Sequence, residues 1–511
     1  MSNPAFRFID LFAGIGGFHA VMKAFGGECV YAVEIDRQAA TVYEANWGHQ
    51  AFGDITQDAD DDLGIMNVPA HDVLCAGFPC QPFSKSGAQR GMDEARGTLF
   101  FNIASIIKTH HPKVVLLENV RNLIGPRHEH EWEVIIRTLR EEGYNVSARP
   151  AIFSPHLLPE HLGGVPQVRE RVFITATYGP DSVPRNDDGT VDMNALGPPP
   201  VATMTDRFPR VAESNAPMFD PGAAEGGWNL LDGKLLDESH VIPGCDLTPG
   251  ETLWIDAWDE FARFMSERTS APLKGFPYWA DSWLDFPEAA AAMRRAPTPE
   301  RRNENGRYEP GSEAVLRLPK KVTRPVIDST LPAWKQSHLR RNYDVFAAHW
   351  RDILPWAWRW GVYTHLFPAS RRKLEWQAQD AKSLWSTVMH FRPSGIRAKR
   401  PTYLPALVAI TQTSIVGPLE RRLSPREAAR LQGLPDSFIF ADQPAAATYR
   451  QMGNGVAVGA VQHVFREHVL RDQALLAADP DGIGQNIVAA AKGTTPSTVR
   501  KRLAEHRPAK V

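Results

Sequence analysis

A cysteine, a glutamate and two arginines in this sequence could form a nucleophilic site. Cys80 lies in "GFPCQPFSKSG", between two prolines and directly after the apolar run "DVLCAG". Glu118 ends the apolar run in "VVLLENV", and "QVRERVF" places Gln167, Arg169 and Arg171 at a spacing of two, which on a strand puts them on one face. A thiolate is a strong nucleophile, and nearby guanidinium groups lower the pKa of a thiol from about 8.5. A carboxyl group can hold or protonate a ring nitrogen.

A second motif could bind a nucleoside. "DLFAGIGGF" follows the first predicted strand and opens a helix, and its glycines (Gly14, Gly16 and Gly17) allow a tight turn with free N–H groups at the helix N-terminus. Glu34 lies at the end of the second predicted strand, where a carboxylate can bond ribose hydroxyls. Asp54 follows a third predicted strand and suits an adenine amino group. The glycines do not form the dinucleotide pattern G-x-G-x-x-G, so a mononucleoside ligand is favoured.

The elements that position these residues alternate along the chain. Between residues 6 and about 178, short apolar strands alternate with helical patterns. This order predicts an α/β class with a mostly parallel sheet that is covered on both faces. In such sheets, ligands bind outside the carboxyl ends of the strands. We therefore expect the glycine turn, Glu34, Asp54, Cys80 and Glu118 to line one crevice.

The length and texture of the chain predict several domains. Its 511 residues exceed one typical domain. We predict a first domain over 1–180, a second over 181–402, a return segment over 403–475 that completes the first domain, and a basic extension over 476–511. The second domain is rich in Pro, Gly and charge, but it holds 12 of the 14 tryptophans and is therefore predicted to be folded, loop-rich and irregular.

Composition bounds the compartment and the partners. No apolar run approaches the roughly 18 residues that a membrane span needs, and no basic stretch precedes the first apolar run, so neither a membrane anchor nor a secretory signal is expected. Four cysteines do not make a disulfide framework, which favours a reducing cytoplasm. The net charge of −2 argues against a globally basic DNA-coating protein, but it leaves room for a local basic groove.

Taken together and in order, these motifs resemble those of a known family. The blocks are "DLFAGIGGF", "VEID", "GDIT", "GFPCQPFSKSG", "RGTLFF", "ENV", "QVRERVF", "RRLSPREAARLQGLPDSF" and "YRQMGNGVAV". The chain resembles a DNA (cytosine-5)-methyltransferase of the bacterial restriction-modification type over residues 8 to about 460. The central segment of about 240 residues departs from the shared pattern; in this family, that place holds a variable target-recognition domain.

The resemblance implies a Rossmann-like domain that uses S-adenosyl-L-methionine as methyl donor. The residues carried over to its pocket are those that cradle the amino acid part (Phe12, Gly14, Gly16 and Gly17), those that hold the ribose or flank the adenine (Glu34, Ile35, Asp54 and Ile55), and those that pack nearby or close the pocket (Leu99, Asn454 and Val456).

The resemblance also assigns a catalytic mechanism. Cys80 attacks carbon 6 of a flipped-out cytosine, which makes carbon 5 nucleophilic. Glu118 holds N3 and the exocyclic amine, Arg171 bonds the O2 carbonyl, and Arg169 stabilises charge or orients the loop.

A zinc site is the weaker alternative for the cysteines, because Cys75 and Cys80 lack the spacing of a C-x2-C knuckle.

The expected substrate is double-stranded DNA, with a cognate restriction endonuclease or defence-system proteins as further partners. Basic residues in turn-forming sequence between 370 and 403 favour phosphate contacts there. The residues predicted to contact DNA are Gln81, Ser84, Arg371, Arg372, Lys373, Arg392, Arg397, Lys399 and Arg400.

Three alternative functions share parts of this pattern. The first is an RNA cytosine-5 methyltransferase of the same fold, with unchanged chemistry. The second is a catalytically silent DNA-binding relative, against which the intact Cys80, Glu118 and Arg171 set argues. The third is a thiol-dependent nucleotide-binding oxidoreductase, which the absence of a second redox cysteine near Cys80 disfavours.

Overall fold

A computed structural model describes residues 3–79, 99–201, 228–231, 234–271, 273–407 and 413–509. Contacts between residues divide the chain into two compact units. The first unit comprises Met1–Trp228, Pro405–Thr411 and Pro425–Val511, and the second comprises Asn229–Leu404 and Gln412–Ser424. Residues 181–201 and the C-terminal extension group with the first unit, and residues 413–424, within the predicted return segment, group with the second.

The strands follow one another in chain order as β1 (Phe6–Leu11), β2 (Gly27–Val33), β3 (Ala59–Asp60), β4 (Ile65–Met66), β5 (Val73–Gly77), β6 (Val114–Val120), β7 (Tyr144–Val146), β8 (Ala151–Phe153), β9 (Gln167–Val168), β10 (Arg171–Tyr178), β11 (Pro277–Trp279), β12 (Lys373–Gln377), β13 (Val388–Arg392), β14 (Gly395–Lys399), β15 (Leu404–Pro405), β16 (Ile415–Val416) and β17 (Arg421–Arg422). The helices are α1 (Gly17–Ala24), α2 (Arg37–Trp47), α3 (Leu99–His110), α4 (Glu129–Glu141), α5 (Pro249–Thr269), α6 (Ala280–Trp283), α7 (Pro287–Met293), α8 (Ala333–Arg359), α9 (Pro425–Arg430), α10 (Ala445–Asn454), α11 (Val458–Arg471), α12 (Gln473–Ala477), α13 (Ile483–Gly493) and α14 (Pro496–Ala504).

The first unit is built on a seven-stranded sheet in the order β2-β1-β5-β6-β10-β7, with β8 paired to β10. The first four strands are parallel neighbours, and β10 runs antiparallel to β6, β7 and β8. Strand β6 is buried along nearly its whole length, as its apolar run requires when both faces are covered. The predicted α/β class is confirmed.

Two local predictions differ from the structure. The strand predicted before Asp54 is a single bridge between Glu34 and Phe52, because the chain turns at Gly53 and the Asp54 side chain caps a short 3-10 turn. The residues "YRQMGN", expected in a glycine-rich turn, form the end of α10, and Asn454 is its last residue. The turn between α10 and α11 spans only residues 455–457.

The second unit has its own sheet, in the order β11-β12-β14-β13-β16-β17, together with helices α5 to α8. Its core is aromatic, with Trp258, Trp283, Trp356 and Trp376 almost fully buried. Large aromatic rings bury much area per residue and can hold such a unit together despite its many loops. Two long helices, α5 and α8, were not predicted from the sequence.

The C-terminal extension forms helices α13 and α14 within the first unit. Val499 and Leu503 are buried, and Arg502 donates to the carbonyl of Ala24 at the end of α1. Among the residues that the structure describes, no helix combines the length and the apolar composition needed to cross a bilayer.

Candidate active site

A cavity of about 410 Å³ opens at the carboxyl ends of the parallel strands of the first unit. Small-molecule sites usually have volumes of about 300–1,000 Å³. Ten of the eleven predicted cofactor residues line it: Phe12, Gly14, Gly17, Glu34, Ile35, Asp54, Ile55, Leu99, Asn454 and Val456. The predicted catalytic residues Glu118 and Arg171 line its other part. The expectation of one shared crevice therefore holds for these side chains.

Gly16 is the one predicted cofactor residue that does not line the cavity. It caps α1 with φ +89°, and a Cβ there would lie 2.0 Å from Nε1 of Trp47. That indole Nε1 donates to the carbonyl of Ile15 at 3.0 Å. Glycine at this position therefore lets Trp47 pack against the turn and hold it.

The C-terminal part of the first unit meets the glycine turn directly. A Cβ on Gly17 would lie 2.6 Å from a methyl group of Val456. Asn454 and Val456 flank the turn after α10 and line the same cavity as Gly14. The close approach requires glycine at position 17, and it explains how residues more than 400 positions apart share one pocket.

Glu34 is held by the backbone of its surroundings. One carboxylate oxygen accepts the N–H of Gly14 at 2.8 Å, and the other accepts the N–H of Asp36 at 2.8 Å. Burial raises the pKa of Glu34, and these hydrogen bonds oppose the shift. Next to it, the Ile35 side chain is 70% exposed, which offers an apolar surface to a flat ring. Asp54 Oδ1 accepts from the backbone and the hydroxyl of Thr56.

Glu118 and Arg171 form an ion pair that lines the same cavity. Strands β6 and β10 are antiparallel neighbours, which brings the end of one beside the start of the other. Arg171 Nε lies 2.8 Å from Oε1 of Glu118, and the Glu118 side chain is only 9% exposed. Burial raises the pKa of Glu118, although the positive charges of Arg171 and Arg169 oppose the shift. This environment makes the Glu118 carboxyl group hold a proton more readily than an exposed glutamate does.

Arg169, which is predicted to stabilise charge or to orient the loop, is placed differently from Arg171. It is almost fully buried and does not line the cavity. Its guanidinium donates to the carbonyls of Gly453 at 2.9 Å, Gly455 at 2.5 Å and Leu407 at 3.2 Å. Arg169 therefore fixes the backbone on both sides of Asn454. Residues 169 and 170 lie between β9 and β10, so the predicted continuous strand is interrupted there.

The nucleophile candidate Cys80 and the predicted DNA contacts Gln81 and Ser84 lie outside the described residues. Pro79, which precedes Cys80 in the chain, lines the cavity with Glu118 and Arg171. Asn119 donates from its amide to the carbonyl of Phe78 at 3.0 Å. Asn119 was not among the predicted site residues, although its place directly after Glu118 in "ENV" pointed to a role at the site.

Two of the described cysteines, Cys75 and Cys29, are unsuited to act as nucleophiles. Cys75 is fully buried in β5, and burial raises the pKa of its thiol well above the usual range. Burial also raises the pKa of Cys29, to about 12. Both are therefore poor nucleophiles. Within the described ranges, His, Cys, Asp and Glu side chains form no group of three or more that could hold a metal ion.

Comparisons with known proteins find similarity over nearly the whole chain. Residues 6–469 match the family described as C-5 cytosine-specific DNA methylase. The Type II methyltransferase M.AluI of Cellulosimicrobium cellulans is 60% identical over 511 residues, covering 97% of each chain. M.HhaI of Haemophilus parahaemolyticus is 45% identical over 168 residues, which are 33% of this chain and 48% of that protein. Among solved structures, the S. pombe Dnmt2 methyltransferase covers 92% of this chain and 99% of its own, at 16% identity and a TM-score of 0.40. Because the family match spans most of the sequence, this chain belongs to the C-5 cytosine-specific DNA methylases.

Proposed function

We propose that this protein transfers a methyl group from S-adenosyl-L-methionine to carbon 5 of a cytosine in double-stranded DNA. One observation carries the proposal: a single cavity is lined both by the glycine turn with Glu34 and by Glu118 with Arg171. A methyl donor and a pyrimidine acceptor need such neighbouring places, because transfer requires the reacting atoms to lie about 3–3.5 Å apart.

The residues of the nucleoside end fit this donor. Gly14 has open space where a Cβ would be, so a ligand can approach its backbone. Glu34 would accept the ribose hydroxyls, and the exposed face of Ile35 would pack on the adenine. Asn454 and Val456 would close the pocket from the C-terminal side. When bound, this cofactor supplies an electrophilic methyl group.

The other end suits a cytosine ring. Cys80 would attack carbon 6, forming the carbon–sulfur bond while the electrons of the 5,6 double bond move onto carbon 5. Glu118 would hold N3 and the exocyclic amine, and Arg171 would bond O2, so that charge that develops on the ring is stabilised. After carbon 5 has taken the methyl group, loss of its proton restores the double bond and releases the Cys80 thiolate.

The ring must leave the DNA stack before Cys80 can reach it. Both faces of a stacked base are covered, so the target cytosine has to be flipped out, at a cost of a few kcal/mol. We propose that the second unit supplies the DNA contacts that offset this cost, with Gln81 and Ser84 near the flipped base. The similarity to M.AluI, which is named a Type II methyltransferase, supports a role as the modification half of a restriction-modification or defence system, with a cognate endonuclease as partner.

The test compares the wild-type protein with Cys80→Ala. We expect wild-type protein to methylate duplex DNA at cytosine carbon 5, as read by bisulfite sequencing. Cys80→Ala should lose transfer completely while it still binds S-adenosylhomocysteine in calorimetry. Undiminished transfer by Cys80→Ala would disprove the assignment of the nucleophile. A parallel assay on transfer RNA separates the alternative substrate, since transfer to RNA and none to DNA would overturn the DNA assignment.

A further inference from the structure

The basic residues predicted to contact DNA fall into two classes by what their side chains touch. Arg371 is buried, donates to the carbonyl of Arg392 and stacks on Trp254 and Phe391. Arg372 pairs with Asp281 at 3.2 Å, and Arg400 pairs with Asp380. The guanidinium groups of this first class are therefore already bound by a carbonyl, by aromatic rings or by a carboxylate of the second unit.

The second class lies on one face of the sheet formed by β12, β14 and β13. Strand alternation puts the buried side chains of these strands on the aromatic core: Leu374, Trp376, Met389, Phe391, Ile396 and Ala398. The side chains between them point the other way. They include four cations, Lys373, Arg392, Arg397 and Lys399, which with Glu375 we call the basic face.

Glu375 is the single carboxylate in these three strands. Its Oε2 accepts from Nε and Nη2 of Arg397 at 2.9 and 2.8 Å, and Arg392 lies 3.6 Å away. Lys373 is 3.9 Å from its other oxygen. One carboxylate therefore faces three cations, and its bidentate contact fixes the direction of Arg397.

Lys399 adds a further positive charge to this face. Among the described residues no carboxylate lies within ion-pair distance of Lys399, and its ammonium lies 5.7 Å from the centroid of the Tyr403 ring. Burial and the charges of Arg397 and Arg392 lower the pKa of Lys399 to about 8. Burial, with the same cations, also lowers the pKa of the neighbouring His390 to about 3. In both groups burial is the larger cause of the shift, and the neighbouring positive charges add to it.

Such an excess of like charge disfavours folding, because like charges on neighbouring strands repel. A protein that needs the sheet only as a scaffold would gain stability from more acids there. A polyanion laid on the face would turn this repulsion into attraction, and phosphate oxygens suit guanidinium groups well. Nucleic acid backbones bind proteins mainly through such cations.

We propose that the basic face binds the phosphate backbone of DNA through Arg392, Arg397 and Lys399, with Glu375 orienting Arg397, while Arg371, Arg372 and Arg400 support the fold. This inference rests on the proposed function for the identity of the polyanion. It narrows the predicted DNA contacts to one sheet face.

A footprint on the wild-type protein tests the inference without any variant. Lysines are labelled with an amine-reactive reagent at pH about 8, near the lowered pKa of Lys399, with and without saturating non-target duplex DNA. Peptide mapping should show several-fold protection of Lys399. Lys108, which is exposed and pairs with Asp61 in the first unit, serves as the unprotected control. Equal labelling of Lys399 at saturation would overturn the inference.

Salt dependence of binding provides the second measurement. Each phosphate contact contributes about 0.9 to the slope of log K against log salt for duplex DNA. We expect the double variant Arg392→Gln, Lys399→Gln to lose about 2 from that slope. The controls Arg372→Gln and Arg400→Gln should keep the wild-type slope, since their charges face Asp281 and Asp380. A wild-type slope in the double variant, or equal losses in the controls, would contradict the proposal.

These assays separate this inference from the proposed function. Methyl transfer by the wild-type protein with an unprotected Lys399 would disprove the DNA role of the basic face and leave the activity standing. Protection of Lys399 by DNA in a protein that transfers no methyl group would support the DNA role of the basic face and disprove the proposed methyl transfer.

Discussion

Arg171 Nε lies 2.8 Å from Oε1 of Glu118, and both side chains line the cavity that also holds the glycine turn. The pair joins the end of β6 to the start of β10. Its arginine stabilises the charged carboxylate, while burial favours the protonated form. Glu118 is thereby placed to exchange a proton or a hydrogen bond with a ring nitrogen.

Glu118→Gln should lower kcat for methyl transfer by about 10²- to 10⁴-fold, the usual contribution of one positioned acid–base group. The amide keeps a similar shape but cannot exchange the proton. Binding of S-adenosylhomocysteine should stay within about twofold, because the nucleoside end of the cavity is unchanged. Single-turnover kinetics and calorimetry measure the two quantities. An unaltered kcat would show that the carboxyl group has no acid–base role.

The same variant should change how stability depends on pH. The pKa of Glu118 is raised in the folded protein above its ordinary value of 4.5. Such a group contributes its full stability below the unfolded pKa and loses it as pH rises through the folded pKa. The free energy of unfolding of Glu118→Gln should therefore improve relative to wild type as pH rises above the ordinary glutamate pKa of 4.5. Urea titrations at each pH measure this, and a flat difference would contradict the raised pKa.

Arg169→Lys should weaken cofactor binding more than it slows chemistry. A lysine cannot hold the carbonyls of Gly453 and Gly455 together with that of Leu407, so the backbone around Asn454 would loosen. We expect about a tenfold rise in Kd for S-adenosylhomocysteine, the loss of about one charge-assisted hydrogen bond. Arg500→Lys is the matched control, because Arg500 also donates to two backbone carbonyls but lies outside the cavity. A fall in kcat with unchanged Kd would instead place Arg169 in the chemistry.

Gly16→Ala and Gly14→Ala should separate stability from binding. At position 16 the new Cβ would overlap the Trp47 ring, and the backbone φ of +89° is itself unfavourable for alanine, so we expect the unfolding free energy to fall by about 3 kcal/mol. At position 14 the new Cβ would meet no protein atom, so only the backbone φ of +55° is unfavourable and the unfolding free energy should fall by about 1 kcal/mol. Because Gly14 lines the cavity, Gly14→Ala should also weaken cofactor binding. Thermal unfolding and calorimetry of both variants give the comparison. Equal destabilisation by the two substitutions would refute the role of Trp47.

The sequence predicted the α/β class and the residues that share the cavity because both depend on local patterns. Apolar runs of strand length mark buried strands, and polar residues at their carboxyl ends meet at one sheet edge. This reasoning predicted that Glu34, Asp54 and Glu118 line one crevice, and the structure places all three in one cavity. The ordered motifs, by contrast, are what resembled the family that the comparisons confirm.

Other predictions failed or were absent because they depend on contacts between distant residues. A spacing of two predicts that Arg169 and Arg171 share one face of a strand, yet only Arg171 lines the cavity. The strand is interrupted at residues 169 and 170, and Arg169 donates to backbone carbonyls more than 230 positions away in the sequence. The helices α5 and α8 were not predicted, because they are buried against aromatic residues that come from several distant elements of the second unit.

By itself, the sequence determined which side chains could do chemistry and the order along the chain of the strands that present them. Only the tertiary structure decided which glycines of "GIGG" line the cavity and which one makes room for Trp47, since all three look alike in the sequence. It also decided which of the seven basic residues predicted to contact DNA each have an acid of their own or a carbonyl partner, and which share the single carboxylate of Glu375. The reason is physical: the role of a charged or small residue depends on what packs against it, and those partners come from other parts of the chain.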